Sequence, residues 1–204
     1  MSRPKRTEIS ERNLMKRGVP RKHYNLDVSD IYDFGDSSRR KVVQALQEYI
    51  SDLSVPFKTG EGIFLYGSNG TGKTTIASIL IKEAYIQRYT SRRVTFADYI
   101  ELYTRTWNCK DHEEKMLLKE KLFKDYKNTE FLVLEEIGKE IDTKISLPIL
   151  EDLLRFREDR GLPTIICTNL TPKDVKEKFG NSIISLIQGN MTPYKLVGID
   201  RRTE

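Results

Sequence analysis

The sequence predicts an α/β fold built on a parallel sheet with helices on both faces. Two observations carry this. Short apolar runs recur along the chain as "IFLY", "FLVLEE" and "PTIICTN". Between them lie longer stretches with helical spacing of apolar residues. Strands that alternate with helices form parallel sheets, and continuous apolar strands are those covered on both sides.

Taken in order, the chain opens with a basic segment. Residues 1–25 carry eight Lys and Arg against Glu8 and Glu11, a local charge of +6 in a chain whose total is +5. The rest is close to neutral, so this arm is the natural place for contact with nucleic acid phosphates or an acidic protein face. It divides the chain into an arm, 1–25, and a domain, 26–204. Next, "GVPRKHYNLDVSDIYDFGD" reads as extended, with one short strand near Ile31–Phe34. Val42, Val43, Leu46, Tyr49, Ile50 and Leu53 are spaced for a helix. "IFLY" is the first main strand, followed by a helix from Thr74 to about Tyr89. A second strand is expected over 92–98 and helix in two pieces over 98–127, with a weak point near Trp107–Lys110. "FLVLEE" (131–136) is the third strand, "ISLPILEDLLRFREDRG" a helix, and "PTIICTN" the fourth strand. "TPKDVKEKFGNSIISLIQG" reads as a helix broken at Gly180, and "YKLVGID" as the fifth strand.

Composition excludes several classes. The chain is 38% hydrophobic and 32% charged. No run approaches the roughly 18 apolar residues of a membrane span. No apolar stretch follows the basic terminus, so no secretory signal is expected. Cys109 and Cys167 are far apart and unpatterned, which suits a reducing, cytoplasmic setting and writes no zinc framework.

Between the first strand and its helix stands "GSNGTGKT", a match to G-x-x-x-x-G-K-[ST] in the required strand–loop–helix context. Gly67, Gly70 and Gly72 let backbone N–H groups turn toward phosphate oxygens, with Ser68, Asn69, Thr71 and Thr75 completing the cradle. The helix N-terminus adds its positive end. Lys73 would reach the β- and γ-phosphates of ATP, and the Thr74 hydroxyl would sit on Mg²⁺. Such a loop needs an acid at the end of a neighbouring strand. "FLVLEE" supplies two, Glu135 for the metal and Glu136 for orienting the attacking water. Glu135 stands where Asp is usual, one methylene longer, at an ion that demands tight octahedral geometry. Asn169, after the fourth strand, is placed to aim its amide at the γ-phosphate or its water. The lysines of 110–127 are nearly cancelled by acids, so that stretch reads as a solvated helix laced with i,i+4 pairs.

These pieces, in this order, resemble the AAA+ ATPases of the DnaC/DnaI helicase-loader type and the related IstB-type transposition helpers. The resemblance covers about residues 15–204. "GVPRKHYN…IYDF" looks like the family's lead-in and "GIFLYGSNGTGKT" is similar to its Walker A. "FLVLEEIG" resembles its Walker B, "FREDRGLPTIICTN" its sensor 1 segment and "KLVGIDRR" its closing element. The resemblance implies a three-layer P-loop fold with a five-stranded parallel sheet in order 5-1-4-3-2, without a C-terminal helical lid. It implies ATP or ADP with Mg²⁺ as ligands, assembly into an oligomer, and a replicative hexameric helicase and single-stranded DNA as partners, with no membrane role. Arg202 would contact the nucleotide in the sensor 2 manner. Where the family places a trans-acting arginine, this sequence has Leu186. Hydrolysis is then expected to be slow unless Arg157, Arg160, Arg201 or Arg202 substitutes. Three functions are kept open: a helicase loader, a transposition helper on duplex DNA, and a nucleotide-bound helicase regulator that hydrolyses little. A small-molecule kinase is disfavoured because no arginine cluster for a substrate or lid is present.

Overall fold

The structure is a computed structural model, and it describes residues 10–33, 37–139 and 143–198. Five parallel strands form one sheet in the order β2-β3-β4-β1-β5. This is the expected order, read from the opposite edge. The strands are β1 Gly62–Tyr66, β2 Ser91–Thr95, β3 Phe131–Glu135, β4 Thr164–Thr168 and β5 Met191–Lys195. The helices are α1 Glu11–Lys16, α2 Ser37–Ser51, α3 Ser54–Thr59, α4 Lys73–Ile86, α5 Phe96–Asn108, α6 His112–Leu122, α7 Thr143–Glu158 and α8 Pro172–Asn190.

Period-two alternation assigns the two cores. Ile63 and Leu65 of β1, Phe131 and Val133 of β3, and Ile165 and Cys167 of β4 pack with α2 and α4 on one face. Phe64, Leu132, Leu134 and Ile166 pack on the other with α5, α7 and α8. The central strands are buried along their whole length, which is why they read as unbroken apolar runs. Helix α4 lies over the middle of the sheet with Ile76, Ala77, Ile79, Leu80, Ile81 and Ala84 all buried.

The edges depart from the expected boundaries. β2 stops at Thr95, because the Thr95 hydroxyl accepts from the Asp98 N–H at 3.1 Å and starts α5 there. β5 spans Met191–Lys195 rather than 194–200. It pairs with β1 alone, and an edge strand tolerates Pro193. The strand expected near Ile31–Phe34 is absent over its described part. Asp27 and Asp30 cap each other's backbone and make a 3₁₀ turn over Val28–Asp30 instead; Phe34 lies outside the described residues. A short helix, α3, was not expected. The break at Gly180 is present as a kink (φ 82°) inside α8.

The described part of the basic arm is folded onto the body. Leu14 and Val19 are buried in the core under α2 and α4. The arm also lies along the edge of β2: Arg93 N–H donates to Arg17 O at 2.8 Å. Gly18 is required there. Its φ is +81°, and a Cβ would stand 2.2 Å from Arg93 O. Arg12, Lys16, Arg21 and Lys22 remain exposed.

One residue nominated from sequence is excluded from its role. Arg157 is fully buried. Its guanidinium donates to Thr164 Oγ1, to Tyr126, Lys127, Thr129 and Glu130 carbonyls, and to Pro163 O. It ties the starts of β3 and β4 together and reaches no surface, so it is not a trans-acting arginine. Leu186 is also buried, in the core beside α7; an arginine there would point inward. Arg160 is exposed and stacks over Phe156 at 3.8 Å.

Candidate functional site

The carboxyl ends of β1, β3 and β4 converge on one pocket of about 430 Å³. Ligand sites of open α/β sheets gather at this end. The loop after β1 forms its floor. Gly67 leaves the strand with its N–H on Thr168 O and φ 153°, where a Cβ would meet Leu196 O at 2.1 Å. The Thr71 hydroxyl donates to Ser68 O at 2.9 Å and closes the loop on itself. Gly72, at φ 94°, turns the chain into α4. Lys73 folds back over the loop, its ammonium donating to Gly67 O at 2.8 Å and Ser68 O at 2.7 Å. Asn69, Gly70, Thr71, Gly72, Lys73, Thr74 and Thr75 all line the pocket, while Gly67 and Ser68 lead into the loop and accept from Lys73 through their carbonyls.

Opposite the loop stand the acids. Glu135, the last residue of β3, is only 3% exposed and forms an ion pair with Arg93 through Oε2. Its Oε1 is buried with no hydrogen-bond partner. Glu136 has left the strand in a left-handed conformation (φ 63°), with its N–H donating to Cys167 O at 2.8 Å. Its side chain is exposed and accepts from Lys139 at 2.7 Å. The two acids therefore occupy different environments, one enclosed and one open to the pocket mouth. From β4, Asn169 reaches across and donates to Asn69 Oδ1 at 2.8 Å. Thr168 pins the segment after β3 through Ile137 O at 2.8 Å. Apart from Arg157 and Arg160, the site residues expected from sequence within the described chain line this pocket or, for Gly67 and Ser68, lead into its loop. Arg201 and Arg202 lie outside the described residues.

The segment before α2 supplies a wall that sequence reasoning did not assign. Leu26, Ile31 and Tyr32 line the pocket beside His23 and Arg39. The lead-in "GVPRKHYN…IYDF" is the sequence signal for this wall, but an extended segment with one short strand, as it reads, assigns these residues no contact with the pocket. His23 Nδ1 lies 2.8 Å from Ser78 Oγ, and that hydroxyl donates its one proton to Thr74 O at 2.7 Å. Nδ1 must therefore carry the hydrogen. Burial, then Lys22 and Arg93, hold the His23 pKa below its ordinary value. Arg39, also buried, donates to Val197 O at 3.0 Å. Its guanidinium comes within 3.5 Å of the Cβ position of Gly72. Cys167 sits behind Glu135, where burial and then the Glu135 charge push its thiol pKa up and leave it inert.

A glycine loop between strand and helix, faced by two strand-end acids and a polar residue on the intervening strand, defines a P-loop nucleotide-binding protein. The chain belongs to the ATPase family associated with various cellular activities (AAA), whose family model matches residues 63–179. It is similar to the replicative helicase loader DnaI of Bacillus subtilis (strain 168), 28% identical over 148 residues, covering 72% of this chain and 45% of that protein. It is also similar to the replicative helicase loader DnaC of Escherichia coli (strain K12), 21% identical over 185 residues, covering 90% and 71%. The chain thus spans less than half of the Bacillus relative's length. Its fold is shared with the crystal structure of the DnaC helicase loader, at a TM-score of 0.72 and 21% identity, covering 87% of this chain and 100% of that one. No described helix is long and apolar enough to cross a membrane.

Proposed function

We propose that this chain is a Mg²⁺-dependent ATPase that loads or remodels a replicative hexameric helicase on single-stranded DNA. The observation that carries the reading is the meeting of the loop, Glu135, Glu136 and Asn169 at one pocket, in a chain whose likeness to helicase loaders extends well beyond the loop. The residues present fit a nucleotide with its metal. The pocket combines an apolar wall with a floor of backbone donors, and the buried Glu135 Oε1 lacks a hydrogen-bond partner.

In this reading the N–H groups of residues 67–75 hold the phosphates, and Lys73 exchanges its two loop carbonyls for phosphate oxygens. Thr74 and Glu135 are the residues that would hold Mg²⁺. Once bound, the ion supplies charge neutralisation at the reacting phosphoryl group. Glu136, exposed at the pocket mouth, orients water and takes up its proton, and Asn169 fixes the γ-phosphate end. Arg202 is assigned a contact with the nucleotide from the same subunit, and self-assembly brings a second subunit to the site. Hydrolysis is slow, because neither the buried Leu186 position nor the buried Arg157 offers an arginine to a neighbour. The exposed cations of the arm, Arg12, Lys16, Arg21 and Lys22, give salt-sensitive contact with single-stranded DNA or the helicase. The reaction takes place in the cytoplasm.

The test is co-migration of the full chain with the hexameric replicative helicase of its own host on size exclusion, with ATP, with ADP and without nucleotide. A shared peak in any state supports the reading, and separate peaks in all three sink it. The Arg93–Glu135 pair also favours a second reading, a nucleotide-bound helicase regulator with little turnover. ATP hydrolysis no faster than that of Lys73→Ala, with helicase binding intact, selects the regulator.

A further inference from the structure

The acid assigned to the metal already has a cation of its own. Arg93 projects from β2, the strand next to β3, and its guanidinium pairs with Glu135 Oε2. The same guanidinium donates from Nη1 to Gly18 O at 2.7 Å, and the Arg93 backbone N–H donates to Arg17 O at 2.8 Å. Both side chains are largely out of solvent, at 15% for Arg93 and 3% for Glu135. This is not a surface pair held by one flexible contact. The arm clamps the arginine from the far side, and the arginine cannot swing away without leaving Gly18 O unpaired.

We infer that Arg93 neutralises Glu135 within the same chain, so that nucleotide binding here depends only weakly on Mg²⁺. The inference rests on the nucleotide-binding reading above. A strand-end carboxylate favours a divalent cation through its negative charge, and its attraction is strong because the site is partly desolvated. A guanidinium in contact cancels that charge and adds a repulsive charge a few ångströms from where the cation would approach Oε1. The extra methylene of Glu over Asp is what lets the carboxylate reach sideways to β2. The pair therefore answers the departure at position 135: the longer acid serves the arginine first and the metal second. Arg93 is a positioning residue, acting on the ligand only through Glu135.

Equilibrium binding of a fluorescent ADP analogue to the full chain, in excess Mg²⁺ or in excess EDTA, tests this without reference to turnover. For the wild-type chain Mg²⁺ is expected to tighten binding by less than about threefold. In Arg93→Gln, which frees the carboxylate, the ratio should rise to about tenfold or more, the weight of one desolvated charge contact. Arg93→Lys keeps the charge and should stay near wild type. Glu135→Gln in the wild-type background should change the ratio by less than about twofold. A purely structural pair would leave the ratio unmoved in Arg93→Gln, and that result overturns the inference. So does a wild-type ratio of about tenfold that collapses in Glu135→Gln. If Arg93→Gln loses its cooperative melt, Glu135→Gln and Arg93→Lys decide on the same thresholds. Absence of saturable binding by the wild type in both conditions instead defeats the nucleotide reading itself.

Discussion

The two ends of the sheet each hold an arginine largely out of solvent, and they use it differently. At the amino end, Arg157 pairs with no carboxylate among the described residues and is held by one hydroxyl and five backbone carbonyls. Every donor direction is occupied and nothing is left to react. Burial lowers its pKa to about 9, still charged at neutral pH. At the carboxyl end, Arg93 shares its donors between the arm and an acid whose other oxygen has no hydrogen-bond partner. A charge solvated entirely by backbone dipoles closes a fold. A charge that leaves its partner half-satisfied beside a pocket marks a site.

The sharpest way to break this contrast is Arg157→Ala. It takes the guanidinium from five carbonyls at once; Pro163 O keeps the Leu132 N–H, but each buried carbonyl left without a partner costs roughly 1–3 kcal/mol, so a loss of at least ~4 kcal/mol or outright failure to fold is expected in chemical denaturation. Arg157→Lys cannot reach all six acceptors and should lose about 2 kcal/mol. At the carboxyl end the effects should fall on chemistry instead. Glu136→Gln is expected to slow ATP hydrolysis by ~10²-fold, with nucleotide affinity within about threefold and the melting curve unchanged. Equal losses of affinity and rate would assign Glu136 to binding. The join between arm and site is probed by Gly18→Val. A Cβ placed 2.2 Å from Arg93 O should cost about 2 kcal/mol, and a neutral outcome would mean that the arm does not clamp β2.

The smallest effect concerns acid. The folded pKa of His23 lies below its ordinary 6.5, so the unfolded chain takes up the proton first. Stability is then full above about pH 6.5 and declines as pH falls toward the folded value. His23→Gln should flatten that decline in denaturation curves taken across the window, and an unchanged slope would clear His23 of the role.

Much of this was legible. β1, β3 and β4 announce themselves because both of their faces are covered. The loop and its acids follow from a motif that phosphate binding imposes. The edges were harder: β2 and β5 are half-exposed, carry polar residues, and end where a cap or a turn intervenes, as at Thr95. Arg157 stood among the four arginines considered for a neighbour's site, although its spacing points inward. It follows Leu150, Leu153 and Leu154 on the buried stripe of α7, and a charge on that stripe points inward. The Arg93–Glu135 pair and the reach of Arg39 to Gly72 were invisible. They join residues far apart in the chain, and no local pattern encodes them. Leu14 and Val19 were too isolated to advertise that the arm packs.

The backbone at Glu136 has a further implication. A side chain held at positive φ costs on the order of 1 kcal/mol, a cost glycine escapes. Glu136→Gly should therefore make a sturdier protein while removing the carboxylate. Robustness and the role proposed for this carboxylate pull in opposite directions at this one residue, and a screen of variants ranked by thermal tolerance alone would discard the group proposed to orient the water.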